Sequence, residues 1–109
     1  MPEGDTIHRA AAALRTALVG RVITGFEAPR LVGPGPAVGS AVESVESHGK
    51  NLEISFDDGI MLHTHMRMTG SWHLYRPGEK WRKRRHQARV IISTGEWIAV
   101  CFNAPVVET

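Results

Sequence analysis

NLEISFDDGIMLHT, residues 51–64, is the stretch whose reading decides the fold. Leu52, Ile54 and Phe56 alternate with polar residues, the period of a strand with one buried face. Asp58-Gly59 then supplies the strongest short-range hairpin cue in the chain, and Ile60 to Thr64 runs back. The same grammar continues outward. Upstream, Val42 to Ser47 reads as a strand ending at His48-Gly49. Downstream, Gly70 to Tyr75 is a strand broken by Arg76-Pro77-Gly78. Ala88 to Ser93 and Trp97 to Phe102 form a last hairpin across Thr94-Gly95. Arg21 to Glu27, with β-branched Val22 and Ile23, is a further strand.

One segment has a different period. In residues 5–19, Ile7, Ala11, Leu14 and Leu18 fall on one helical face. Asp5 or Thr6 can cap the helix start, and Gly20 stops it. The alanines at 10–13 give high propensity and a slim surface for packing on a sheet. One helix followed by strands defines an α+β, mainly β chain. The expected architecture is a β-sandwich of seven or eight strands with one long N-terminal helix packed against its edge. Ala28 to Ser40, rich in proline and glycine, is a loop; a surface excursion or lid and a tolerated insertion both fit it. Asn103 to Thr109 carries no obvious terminal element, so the 109 residues read as one domain, the first of something longer.

Composition narrows the class. With 42% apolar and 22% charged residues, the chain is globular and not disordered. The longest apolar run, Trp97 to Phe102, is too short to span a bilayer, and no signal peptide is evident. A single cysteine, Cys101, excludes an internal disulfide and any multi-cysteine zinc site. A reducing, cytoplasmic home follows. The net charge is only +2, yet Lys80, Arg82, Lys83, Arg84 and Arg85 cluster around Trp81. Phosphate binding wants such a concentration of charge; a solvated basic loop has the same composition.

Several residues can carry chemistry. If Met1 is removed, Pro2 becomes a free secondary amine, a nucleophile toward an aldehyde-like carbon. Glu3 places a carboxylate beside it, and a helix start disfavours protonation of the amine. The same residues are also ordinary in a helix's first turn. Lys50, at a turn, is either solvated or a phosphate and proton-transfer group. His63 and His65 share a strand face; a metal would need further ligands, and packing or hydrogen bonding is the simpler role. In His65-Met66-Arg67-Met68-Thr69-Gly70, Met68 beside a turn can wedge into a base stack or fill a core.

In this order, Pro2-Glu3-Gly4, Gly49-Lys50-Asn51-Leu52, His65 to Trp72 and the closing Phe102-Asn103 resemble the formamidopyrimidine-DNA glycosylase and endonuclease VIII family. The resemblance covers essentially the whole chain. Pro2-Glu3-Gly4-Asp5-Thr6 looks closer to the endonuclease VIII branch, particularly its actinobacterial members. It implies the N-terminal catalytic domain of a bifunctional DNA glycosylase and AP lyase, acting on damaged double-stranded DNA as a monomer. Pro2 would attack C1′ of the damaged nucleotide and form an iminium. Glu3 would assist ring opening and proton transfer, and Lys50 would contact DNA near the lesion. Met68 would enter the stack, flanked by Arg67 and Thr69. By their concentration of charge, and apart from the resemblance, Lys80, Arg82, Lys83, Arg84 and Arg85 would meet the DNA backbone.

The resemblance implies no cofactor in this chain; full-length relatives usually carry a structural zinc in a C-terminal half with a helix-two-turns-helix motif, which these residues do not include. Position 6 is Thr6 where many relatives have glutamate. The alternative reading is a catalytically weak or inactive domain that only binds nucleic acid through Lys80 to Arg85. A third is a structural β-domain that serves a partner chain.

Overall fold

The computed structural model describes residues 3–109, with side chains described from Thr6 onward. Helix α1 spans Glu3–Leu18. The strands are β1 (Gly25–Glu27), β2 (Val42–His48), β3 (Asn51–Phe56), β4 (Met61–His65), β5 (Ser71–Tyr75), β6 (Ala88–Ser93), β7 (Ile98–Phe102) and β8 (Val106–Glu108). A 3₁₀ turn, Arg85–Gln87, precedes β6. The strands form two antiparallel four-stranded sheets, ordered β2-β3-β4-β8 and β1-β6-β7-β5. The expected mainly-β sandwich with a packed helix is what the chain adopts.

The alternation in residues 51–64 dictates which face is inward. Leu52, Ile54, Phe56, Leu62 and buried Thr64 point into the sandwich, where they meet Ile92, Ala99 and Cys101 of the other sheet. Helix α1 closes the side where edge strands β2 and β5 would otherwise be open. Its predicted stripe of Ile7, Ala11, Leu14 and Leu18 is buried throughout. Arg15, off the stripe, donates Nε and Nη2 hydrogen bonds to Val45 O at 2.9 and 2.6 Å, tying the helix to β2. His8 near the helix start pairs with Ser47 late in β2. The helix therefore runs antiparallel to β2, and its first turns lie at the end where β2 turns into β3.

Three expectations need correction, and one open alternative, for the loop 28–40, is narrowed. The helix begins at Glu3, so Asp5 and Thr6 lie inside its first turn and not at a capping position. Arg21 to Glu27 is not one strand. Val22 bridges Ala41 beside the first sheet, whereas Gly25 to Glu27 pair with β6 in the second; the segment crosses between sheets. The loop 28–40 is fastened, not a lid. Val32 donates to Val107 O and accepts from Thr109 N, and Ala37 N–H donates to Asp58 Oδ2 at 2.9 Å. Finally, residues 103–109 do hold an element: β8 pairs with β4, His63 opposite Glu108. A three-residue strand is too short for periodicity to reveal; its pairing is what forms it.

A second apolar cluster covers the outer face of the second sheet. Tyr75, Ile91, Val100 and Phe102 lie under Trp81. This explains why Val90, Ile91 and Ile92 are apolar without alternation: β6 is buried on both faces.

Candidate functional site

Two turns meet at the end of the sandwich where α1 begins. The first is Gly49-Lys50, the two-residue connection between His48 and Asn51, with Gly49 at φ 60°. The second is the β4–β5 connection, Met66 to Gly70. Met66 N–H donates to Lys50 O at 2.9 Å, so one backbone hydrogen bond joins the turns. Gly70 N–H donates back to Met66 O at 2.8 Å and closes the second turn on itself. A Cβ at Gly70 would stand 2.9 Å from both Met66 Cα and Met66 O, so the tight closure requires glycine. Arg67 sits at φ 51°, a strained conformation for a non-glycine residue.

This turn sorts its two methionines. Met66 is 1% exposed and reaches Cys101 in the core, where Cys101 Sγ approaches its sulfur at 3.9 Å. Met68 is 70% exposed at the tip. Lys50 Nζ lies 3.8 Å from Met68 Sδ, so two residues 18 apart in sequence share one surface point. Of the two readings for Met68, the core filler is excluded by its exposure. Thr69 donates its hydroxyl hydrogen bond to Asn103 O at 2.9 Å. Asn103 takes φ 59°, which asparagine tolerates better than most residues.

Pro2 lies outside the described residues, and so does the side chain of Glu3; the Glu3 backbone is the first residue of α1. The described part of the helix start does border a cavity. Thr6, Ile7 and Ala10 of α1 face Met66, Gly70 and His73 across about 170 Å³. A second groove of about 360 Å³ continues along α1 to Arg82, again past Trp72 and His73.

The basic segment does not form one patch. Arg82 faces the groove beside α1, and its backbone N–H donates to Tyr75 Oη at 3.0 Å. Lys83 turns toward a cleft shared with Thr69. Arg85 pairs with Glu27 at 3.5 Å and lies over the Trp81 ring. Lys80 and Arg84 are exposed. Trp81 stacks on Tyr75, with ring centroids 6.0 Å apart and planes 17° apart, and meets Phe102 edge-on. Its ring holds the segment onto the sheet.

His63 and His65 face outward with carboxylate partners, His63 Nδ1 3.1 Å from Glu53 and His65 Nε2 3.0 Å from Glu108. Among the described residues no group of three or more His, Cys, Asp or Glu side chains is placed to hold a metal ion. His65 thus hydrogen-bonds Glu108, and His63 lies within ion-pair distance of Glu53.

Sequence reading missed His73. It stands between the two cavities, with Nδ1 2.7 Å from Tyr75 Oη and Nε2 3.3 Å from Ser71 Oγ. The Tyr75 hydroxyl already accepts from Arg82 N–H, so it is free to donate its own proton to Nδ1. Burial, then Arg82 and then Lys83, hold the imidazole below its ordinary value of 6.5, toward the neutral form. A polar stripe of Ser71, His73 and Tyr75 at period 2 was the signal available in the sequence.

No helix among the described residues is long and apolar enough to cross a membrane. Comparison with known proteins agrees with the architecture. The chain is 40% identical over 111 residues to probable endonuclease 8 2 of Streptomyces coelicolor, a match covering 99% of this chain and 40% of that protein. It is 32% identical to the DNA-(apurinic or apyrimidinic site) lyase Nei2 of Mycolicibacterium smegmatis, covering 99% of this chain and 41% of that protein. The chain thus spans about two-fifths of the length of the curated relatives it matches. In structure it superimposes on the formamidopyrimidine DNA glycosylase of Lactococcus lactis, solved bound to abasic-site DNA. The TM-score is 0.75 at 19% identity, over 99% of this chain and 44% of that one, which shows a shared fold. The sequence model of the formamidopyrimidine-DNA glycosylase N-terminal domain matches residues 1–105. The chain belongs to the formamidopyrimidine-DNA glycosylase N-terminal domain family.

Proposed function

We propose that residues 1–109 form the N-terminal catalytic domain of a base-excision-repair glycosylase and AP lyase that acts on oxidised bases in duplex DNA. The observation that carries this reading is the meeting of Lys50 with exposed Met68 at the end of the sandwich where α1 begins. Pro2 is joined directly to the first residue of that helix. Relatives named endonuclease 8 and AP lyase support the same chemistry.

The proposed route starts with the free Pro2 amine attacking C1′. The bond from C1′ to the base breaks, and the base leaves with a proton. Opening of the sugar breaks C1′–O4′, O4′ takes a proton with help from Glu3, and the nitrogen becomes an iminium. That positive nitrogen acidifies the C2′ proton. Loss of the proton expels the 3′ phosphate by elimination, and water then hydrolyses the iminium to free the amine. This route needs an amine, proton carriers and water, and calls on no cofactor. Lys50 supplies positive charge for the backbone near C1′. Met68 fills the space left by the everted base, with Arg67 and Thr69 at its flanks. Lys80, Arg82, Lys83, Arg84 and Arg85 add backbone attraction. A DNA substrate of this kind places the protein in a bacterial cytoplasm.

The rival, nucleic-acid binding through Lys80 to Arg85 alone, is not favoured. The Trp81 ring it would use for stacking is packed on Tyr75.

The test is borohydride trapping on duplex DNA with an abasic site, after intact mass shows Met1 removed. A covalent adduct mapping to Pro2, lost in Pro2→Gly and slowed in Lys50→Ala, is the expected result. No adduct with DNA in excess would overturn the assignment of an enzyme.

A further inference from the structure

The Met66 to Gly70 turn has two flanks. One borders the cavity beside α1. The other borders a separate cleft of about 490 Å³. Its charged lining is Arg30, Lys83 and Arg89, with Thr69 and Asn103 at the rim nearest Met68. No carboxylate lines it. The nearby acid, Glu27, is engaged with Arg85. Among the described residues Arg30 and Lys83 have no ion-pair partner. Arg89 is half-buried and fixed, with Nη1 donating to His86 O at 3.0 Å. Asn103 N–H donates to Gln87 O at 2.9 Å, which holds the rim against the segment carrying Lys83.

Three cations that converge without a counter-charge repel one another. Such an arrangement is relieved by a bound anion. The cleft is open and mainly polar; Ala104 and Pro105 are its apolar residues, and no aromatic ring lines it to stack on a base, so its lining suits a phosphate backbone. Thr69 belongs both to this cleft and to the turn that raises Met68. A duplex wedged on Met68 would therefore pass its backbone over this flank.

We infer that Arg30, Lys83 and Arg89 form a phosphodiester-binding cleft that grips duplex DNA on the flank of Met68 opposite the α1 cavity. This rests on the proposed function for its ligand class. It separates Lys83 from the rest of the basic segment and adds Arg89, just past that segment, and Arg30, which lies far from it in sequence.

The experiment measures affinity of the full chain for an abasic-analogue duplex as a function of salt. Each phosphate contact contributes about 0.9 to the slope of log affinity against log salt. Arg30→Ala and Lys83→Ala, both surface changes, should each lower the slope by about that amount. The advantage of the wild type should then shrink about threefold between 50 and 200 mM salt. Arg89→Lys should keep the slope while losing the fixed fork geometry. Arg76→Gln, at the far end of β5 from Thr69 and over Trp97, should leave it unchanged.

Borohydride trapping in parallel separates the two ideas. Normal slopes in the cleft variants with a wild-type Pro2 adduct would overturn the cleft and spare the enzyme. Reduced slopes without any adduct would support the cleft and overturn the lyase chemistry. Absence of salt-dependent DNA binding by the wild type would overturn the cleft. So would inorganic phosphate binding that needs Arg30 and Lys83 while DNA slopes stay unchanged, because the ligand would then be a free anion.

Discussion

Replacing Thr64 by valine should separate the two strands that carry the Met68 turn. Thr64 on β4 is fully buried and donates to Leu52 O at 3.0 Å. Its oxygen also accepts from Trp72 Nε1 on β5 at 3.1 Å. Those strands belong to different sheets, so this hydroxyl is a polar bridge through the sandwich just behind the turn. Valine keeps the shape and deletes the acceptor. The indole N–H, nearly buried, is then left without a partner at a cost of about 1–3 kcal/mol. The extra methyl returns at most about 0.8 kcal/mol. A net loss of about 1–2 kcal/mol corresponds to roughly 5–15 °C in Tm for a domain of this size.

Urea unfolding at pH 7.5 would give the free energy, and calorimetry the midpoint. Thr64→Ser should cost only about 1 kcal/mol, because it keeps both hydrogen bonds and loses a methyl. The decisive comparison is a cycle with Trp72→Phe, which removes the donor. Thr64→Val should cost about 1 kcal/mol less in that background. Equal costs in both backgrounds would show that the bridge contributes nothing, and the reasoning from an orphaned indole would be wrong.

Three further outcomes follow from the same geometry. Gly70→Ala should destabilise the domain by about 1–3 kcal/mol, since the new Cβ meets Met66 backbone at 2.9 Å. Gly95→Ala, with nothing within 4 Å, should be close to neutral in the same melts. Cys101 is buried, and burial pushes its thiol far above the ordinary value of 9.0. A thiol reagent at pH 8 should therefore leave the native chain unlabelled and modify one site in denaturant; fast native labelling would contradict the packing. His73, held below 6.5 in the fold, binds its proton more readily when unfolded. Stability from this group is thus full above pH 6.5 and is lost as pH falls from there toward the folded value. His73→Gln should flatten the decline between pH 7 and pH 5, and an unchanged slope would remove His73 from the account.

The elements whose own period reports their surroundings were legible in the chain. Residues 51–64 announce a hairpin because alternation follows directly from one buried face. The stripe Ile7, Ala11, Leu14 and Leu18 announces a helix because 3.6-residue periodicity does the same. Residues packed on both sides lose that signal, so Val90 to Ile92 name a strand but not what covers it. Short elements lose it as well, which is why β8 and the crossing at Val22 to Gly25 escaped notice.

The family motif gave Lys50 and Met68 as separate positions, and composition gave the basic run as one segment. Side-chain direction is a three-dimensional property, and the fold divided that run: Trp81 inward onto Tyr75, Arg82 toward α1, Lys83 toward Thr69. By itself the sequence determined the class of fold, the order of its longer elements and the family of the chain, because those depend on local periodicity and on motif order. Only the tertiary structure decided which methionine is buried and which stands free, and that Lys50 reaches it. It alone brought Arg30 to one cleft with Lys83 and Arg89, because β1 pairs with β6, and a pairing between segments so distant in the chain leaves no local trace.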